Sequence, residues 1–185
     1  MKQVLYVLFL IFLLTPVSCI SDGKERLDSM DNSNQLYEKS KEPNVNQTNN
    51  NISPDRVMDI PEELVMGDYT LFIETYLWRD FMPITPPGGK PLRGVIKIIA
   101  EGIKGFPVQI KIKQLWIIKN KSEIWESESL KEQPPEYPNE KIVSFDNGPK
   151  WEPGIMVDVV VRITDTQTGK SFLLKASDQV IQRTD

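Results

Sequence analysis

The chain has 185 residues, a formal net charge of −4, no histidine and a single cysteine. That length holds one domain with extensions rather than two full domains, and the charge balance lacks the basic excess a nucleic-acid surface needs. Without histidine the usual general base near neutral pH and the commonest metal ligand are missing, so neither an enzyme nor a cofactor or metal site is expected.

Residues 1–19 have the layout of an export signal. Lys2 supplies a positive start, Val4 to Leu14 is an apolar run, and Thr15-Pro16-Val17-Ser18-Cys19 is a small-residue cleavage region. The apolar run is short of the ~20 residues that span a bilayer comfortably. The cysteine, just beyond the apolar run and after small Ser18, resembles the lipobox of bacterial lipoproteins, although Pro16 stands where that pattern favours leucine. The resemblance implies a diacylglyceryl group on Cys19, which becomes the acylated N-terminus after cleavage. Two or three acyl chains anchor stably where one binds only marginally. The alternative is an ordinary secretory signal cut after Cys19, giving a secreted or periplasmic soluble protein. Ile20 stands where the enteric lipoprotein pattern puts the aspartate of inner-membrane retention, so outer-membrane placement follows wherever that sorting applies.

Residues 20–58 change character. Ser, Asp, Asn, Lys and Glu dominate, Asn46 to Asn51 is a polar tract, and the few apolar residues follow no period. Such a segment buries too little apolar area to offset its ordering entropy and is expected to be a disordered tether, roughly 35 Å across as a coil.

The folded domain is expected over 59–185. Asp59 to Gly67 suggests one turn of helix, with Asp59 as N-cap and Pro61 in the first turn. Beyond it the period is two. Tyr69 to Arg79 places Leu71, Ile73, Thr75 and Leu77 on one face and Phe72, Glu74, Tyr76 and Trp78 on the other. Val95 to Ala100 is nearly apolar on both faces. In Val108 to Lys119 the alternation assigns Val108, Ile110, Ile112, Gln114, Trp116 and Ile118 to one face. Asn120-Lys121 turns the chain into Ser122 to Glu126; a proline-broken loop precedes Lys141 to Phe145. Ile155 to Thr164 is a strong strand, and Lys170 to Arg183 a last one, bent near Ser177-Asp178.

About seven short strands with regular turn signals and no strong helix resemble an all-β, immunoglobulin-like β-sandwich. Trp116 fits the buried tryptophan such domains often carry. A barrel or jelly-roll topology shares the pattern, and none of these architectures implies a function.

One loop stands out: Trp78-Arg79-Asp80-Phe81-Met82, followed by a stiff Pro-rich run to Pro91. In an immunoglobulin-like topology it shares an end with Asp146 to Gly154, which carries Lys150 and Trp151. Trp78, Arg79, Phe81, Met82, Lys150 and Trp151 therefore make a candidate binding patch, since aromatics, Met and Arg favour interface centres. The competing account is a hydrophobic plug at the open end of the sandwich, with Arg79 paired to an acid. Asp80, Asp146 and Asp158 invite a calcium site but match no compact loop spacing. Glu126, Glu128, Glu132, Glu136 and Glu140 suit a solvated face better than paired catalytic carboxylates. The expected function is a non-catalytic binding or envelope-assembly protein, held to a membrane through Cys19 and meeting an unknown protein or glycan. The alternative is a carbohydrate-binding or hydrolytic accessory protein using Trp78 and Trp151.

Overall fold

The computed structural model describes residue 52 and residues 54–120 and 122–185. The leader with Cys19 and the expected tether up to residue 51 lie outside the described residues. Apart from one helical turn, α1 (Pro54–Val57), the described chain is all-β. Nine strands follow: β1 (Glu63–Met66), β2 (Tyr69–Asp80), β3 (Arg93–Glu101), β4 (Ile110–Lys119), β5 (Glu123–Ser127), β6 (Lys131–Gln133), β7 (Glu140–Phe145), β8 (Met156–Asp165) and β9 (Ser171–Thr184).

They form one curled sheet in the order β5-β4-β8-β9-β2-β3-β7-β6, with β1 alongside β2. Strand β9 makes the curl. Through Val180 it pairs antiparallel with β8; from Ile181 to Thr184 it pairs parallel with β2. A bulge precedes the switch, where Ser177 and Asp178 stand opposite Asp158. Asp178 takes a φ of 55° there, and its amide donates to the Asp158 carboxylate at 3.2 Å. The bend expected near Ser177-Asp178 is therefore a bulge that hands one strand from β8 to β2.

The curl brings two halves face to face over a single core. Leu71, Leu77, Ile96, Ile98 and Val143 contribute from one half, and Leu115, Ile117, Val159, Val161, Ile163 and Leu174 from the other. Trp125 of β5 packs on Phe145 of β7 with ring centroids 4.9 Å apart, which closes the side opposite β9. Gly94 in β3 is required by this packing, because a Cβ there would lie 2.3 Å from the Phe145 ring and 2.7 Å from Leu77.

Three expectations need correcting. The helical turn over 59–67 does not form: Glu63–Met66 is strand β1, paired antiparallel with Tyr69–Phe72 across a turn at Gly67, whose φ is 66°. Among the described residues there are nine strands, not about seven, because β1 and the three-residue β6 carry too little alternation to be read. In β4 the predicted face is wrong at Val108, which precedes the strand and is 83% exposed, and again beyond Ile112. Lys113 is an extra residue against β8, since Ile112 pairs with Ile163 and Gln114 already with Arg162. That bulge flips the parity, so Leu115 and Ile117 enter the main core while Trp116 and Ile118 face outward.

Outward does not mean exposed. Trp116, Ile118 and Val160 form a second cluster with Val57 and Ile60, against which Ile52 and Leu173 pack. The segment preceding β1 is thus a strap across the outer face of the β4–β8–β9 half. Its end is fastened by the Lys175 amide, which donates to the Pro61 carbonyl at 2.9 Å, and by the Ser177 hydroxyl on the Glu62 carboxylate. Packing begins inside the segment expected to be tether. Among the described residues no helix is long and apolar enough to cross a membrane.

Candidate binding surface

The loop that follows β2 is built around Arg79. The Gly88-Gly89 pair, with φ of 81° and 74°, folds the loop back so that its carbonyls converge on the guanidinium. Arg79 Nε donates to the Lys90 carbonyl at 2.9 Å and Nη2 to that of Gly88. Nη1 reaches across to the β7–β8 loop, donating to the carbonyls of Lys150 at 3.2 Å and Trp151 at 3.0 Å. One buried side chain, 2% exposed, staples both loops. The two loops do share an end, but the expected acidic partner of Arg79 is replaced by four backbone carbonyls. The arginine fork is suited to this because its donors point in several fixed directions.

Asp80 serves the same end separately. It accepts from Lys90 Nζ at 2.7 Å and from the Met82 amide at 3.0 Å. These bonds, the lysine's first, hold its carboxyl below the ordinary aspartate value. Asp146 is lowered likewise by Lys131, whose Nζ donates at 2.7 Å. Asp158 is occupied at the β9 bulge. The three aspartates weighed for calcium thus stand at three places with separate partners.

A pH dependence follows from these shifts. Carboxylates held below their unfolded value of about 3.9 stabilise the fold fully above that pH, and the contribution is lost as pH falls through the lower folded values. Thermal midpoints should hold steady above pH 5 and fall below pH 4. The Asp80→Asn variant should show a shallower acid decline, and an unchanged decline would remove Asp80 from this account.

The six candidate patch residues divide. Arg79 is buried and fully used by the loops. Trp151 is half-buried and packs on the main core, with Lys119 Nζ 5.7 Å from its ring centroid. Phe81 is half-buried between two guanidinium groups, Arg79 at 4.8 Å and Arg183 at 4.1 Å. These three belong to the plug. Met82, 46% exposed, and Lys150 face solvent at its rim. Trp78 lies elsewhere. It alternates with Leu77 and Arg79, so its half-buried ring stands on the outer face of β2. Trp78 and Trp151 therefore do not form one surface.

What Trp78 does meet is Tyr76, two residues earlier on the same face. Their ring centroids are 5.2 Å apart and tilted by 31°. Tyr76 is 53% exposed. Directly across on β3 stand Val95, paired with Tyr76, and Arg93, paired with Trp78. Arg93 Nε is buried without a hydrogen-bond partner. Asp80 and Asp146 act on Arg93 electrostatically, yet each already bonds a lysine. Sequence reasoning put Tyr76 and Trp78 on one face but missed their pairing as a site; the i, i+2 spacing carried the signal. Arg93 gave none.

Further along the same face the apolar surface is interrupted. Lys97 lies 3.3 Å from Glu140, 3.4 Å from Glu136 and 3.9 Å from Glu74. Glu140 is buried and also accepts the amides of Glu136 and Tyr137, so it shapes the proline-broken loop. At the opposite end of the fold a shallow cleft of about 260 Å³ lies among Phe106, Val108, Glu132 and Lys141. It falls below the ~300–1,000 Å³ of small-molecule sites, and the Glu132–Lys141 ion pair at 2.8 Å occupies its wall.

The chain matches no protein-family model, no curated protein and no solved structure. The surface must be interpreted from its own chemistry.

Proposed function

We propose that this chain is an exported, lipid-anchored, non-catalytic binding or envelope-assembly protein that presents the outer face of β2 and β3 to its partner. The observation that carries this is the pairing of exposed Tyr76 with half-buried Trp78 on the outer sheet face, next to an end stapled by Arg79. Large aromatic surface left facing solvent on a rigid strand costs hydration without folding return, and such surface marks recognition.

The curled sheet is, in this reading, an immunoglobulin-like sandwich. Support comes from the division of strands into β2-β3-β7-β6 and β9-β8-β4-β5, with the parallel β2–β9 contact joining the two sets. The outward Trp116 is a departure from that architecture, and the strap over it compensates.

Anchoring is carried by Cys19 and its lipobox-like surroundings, with the polar segment after it giving the domain reach from a cell-envelope membrane, the outer one in a diderm cell. The wild-type protein should partition with membranes and incorporate labelled palmitate, whereas Cys19→Ala should appear in the soluble fraction. A Cys19→Ala protein that still sediments with membranes would contradict lipid anchoring. The hydrolytic accessory alternative loses its paired tryptophans, because Trp151 is committed to packing. Its carbohydrate-binding half survives at the Tyr76–Trp78 pair.

A further inference from the structure

We propose that Tyr76, Trp78 and Arg93 form a subsite for a carboxylate-bearing sugar of an acidic polysaccharide. This rests on the binding-module reading above and names its ligand class.

Size argues first. On this face the two rings, with Val95 beside them and Val180 nearby, form a small apolar area that the Glu74–Lys97–Glu136–Glu140 belt separates from half-buried Phe72 and Ile99. A stable protein partner needs about 800 Å² on each side, with an apolar centre. A tilted pair of aromatic rings offers far less, but it suffices for the apolar face of a pyranose.

Charge argues second. The Trp78–Arg93 register puts Arg93 on the same face as the rings. Its Nε–H lacks an acceptor, and an under-satisfied buried donor carries a cost of its own. The carboxylates that act on it, Asp80 and Asp146, are each bonded to Lys90 and Lys131 at 2.7 Å. Because Nε is buried, a carboxylate from solvent would meet the terminal Nη1 and Nη2 groups of this guanidinium, through paired N–H···O bonds. Arg93 therefore selects a uronate-type sugar over a neutral one, while Tyr76 and Trp78 supply the stacking surface.

The test uses the detergent-solubilised full-length protein in calorimetric titration. The probes are oligogalacturonate, a cello-oligosaccharide of equal length, and polyglutamate. Oligogalacturonate should bind, weakened about tenfold or more in Tyr76→Ala and in Arg93→Gln. Tyr76 is exposed and Arg93 partly so, and unchanged thermal midpoints would confirm that folding is intact. Stronger salt should weaken binding to wild type more than to Arg93→Gln. Equal binding of the neutral oligosaccharide would overturn the role of Arg93. Equal binding of polyglutamate would overturn the sugar assignment. Silence toward all three would overturn the subsite altogether, while the membrane partitioning of Cys19→Ala reports independently on the display reading.

Discussion

Replacing Arg79 with leucine is expected to remove about 4 kcal/mol or more of folding stability. The side chain is 2% exposed and its three nitrogens donate to four carbonyls, those of Gly88, Lys90, Lys150 and Trp151. Leucine fills some of the volume but leaves the buried carbonyls without donors, at about 1–3 kcal/mol apiece before relaxation. The effect is large against a total of about 5–15 kcal/mol for a domain. It should also be local in origin: the Phe81 ring loses one of its two guanidinium neighbours, and the β2–β3 and β7–β8 loops lose their shared clamp. Arg79→Lys should recover less than half, because an ammonium is a point donor that cannot span both loops. Urea denaturation with linear extrapolation measures both. A loss under about 1 kcal/mol for leucine would show that the loops hold each other through backbone bonds alone, such as the Gly148 amide on Leu92 at 2.9 Å.

The second large effect concerns the strap. Trp116→Ala should cost about 3–5 kcal/mol, the range for truncating a large buried aromatic. The tryptophan is fully buried although it lies outside the main core, held between Val57, Ile60, Ile118 and Val160. Its Nε1 donates to the Glu126 carboxylate at 3.0 Å, and the Arg162 guanidinium lies 5.1 Å from its ring centroid. If the strap is what buries it, a chain beginning at Glu62 should lose comparable stability and show a red-shifted tryptophan emission. Val57→Asp should do the same by burying an unpaired carboxylate. Emission unchanged on strap removal would mean that the indole is sheltered by the sheet and Arg162 alone.

Much of this fold was legible in the residues. β2, β3, β8 and β9 follow strict or near-continuous apolar patterns, and the bend at Ser177-Asp178 was visible as a polar pair interrupting an apolar strand. What failed did so for physical reasons. In β4 the run Leu115-Trp116-Ile117-Ile118 is apolar on both faces, so alternation has no preferred phase there and the Lys113 bulge leaves no trace. The strap could not be seen because the short apolar stretch around Val57 and Ile60 follows no strand or helix period; only the outward Trp116 gives it a purpose. The candidate patch was half legible. Proximity of the two loops followed from strand order, but the direction of each side chain did not: Arg79 and Trp78 are neighbours in sequence and lie on opposite faces of one strand. The lone Arg93 became meaningful only through its register with Trp78.

The central claim is that the outer face of β2 and β3 is the surface this protein offers. Amide chemical-shift mapping on the isotopically labelled protein, titrated with a solubilised cell-envelope fraction, tests it most directly. Perturbations should concentrate at residues 74–80 and 93–97, and a Tyr76→Ala/Arg93→Gln protein of unchanged fold should lose them. Shifts confined to the cleft around Val108, or to the rim at Met82 and Lys150, would contradict the claim.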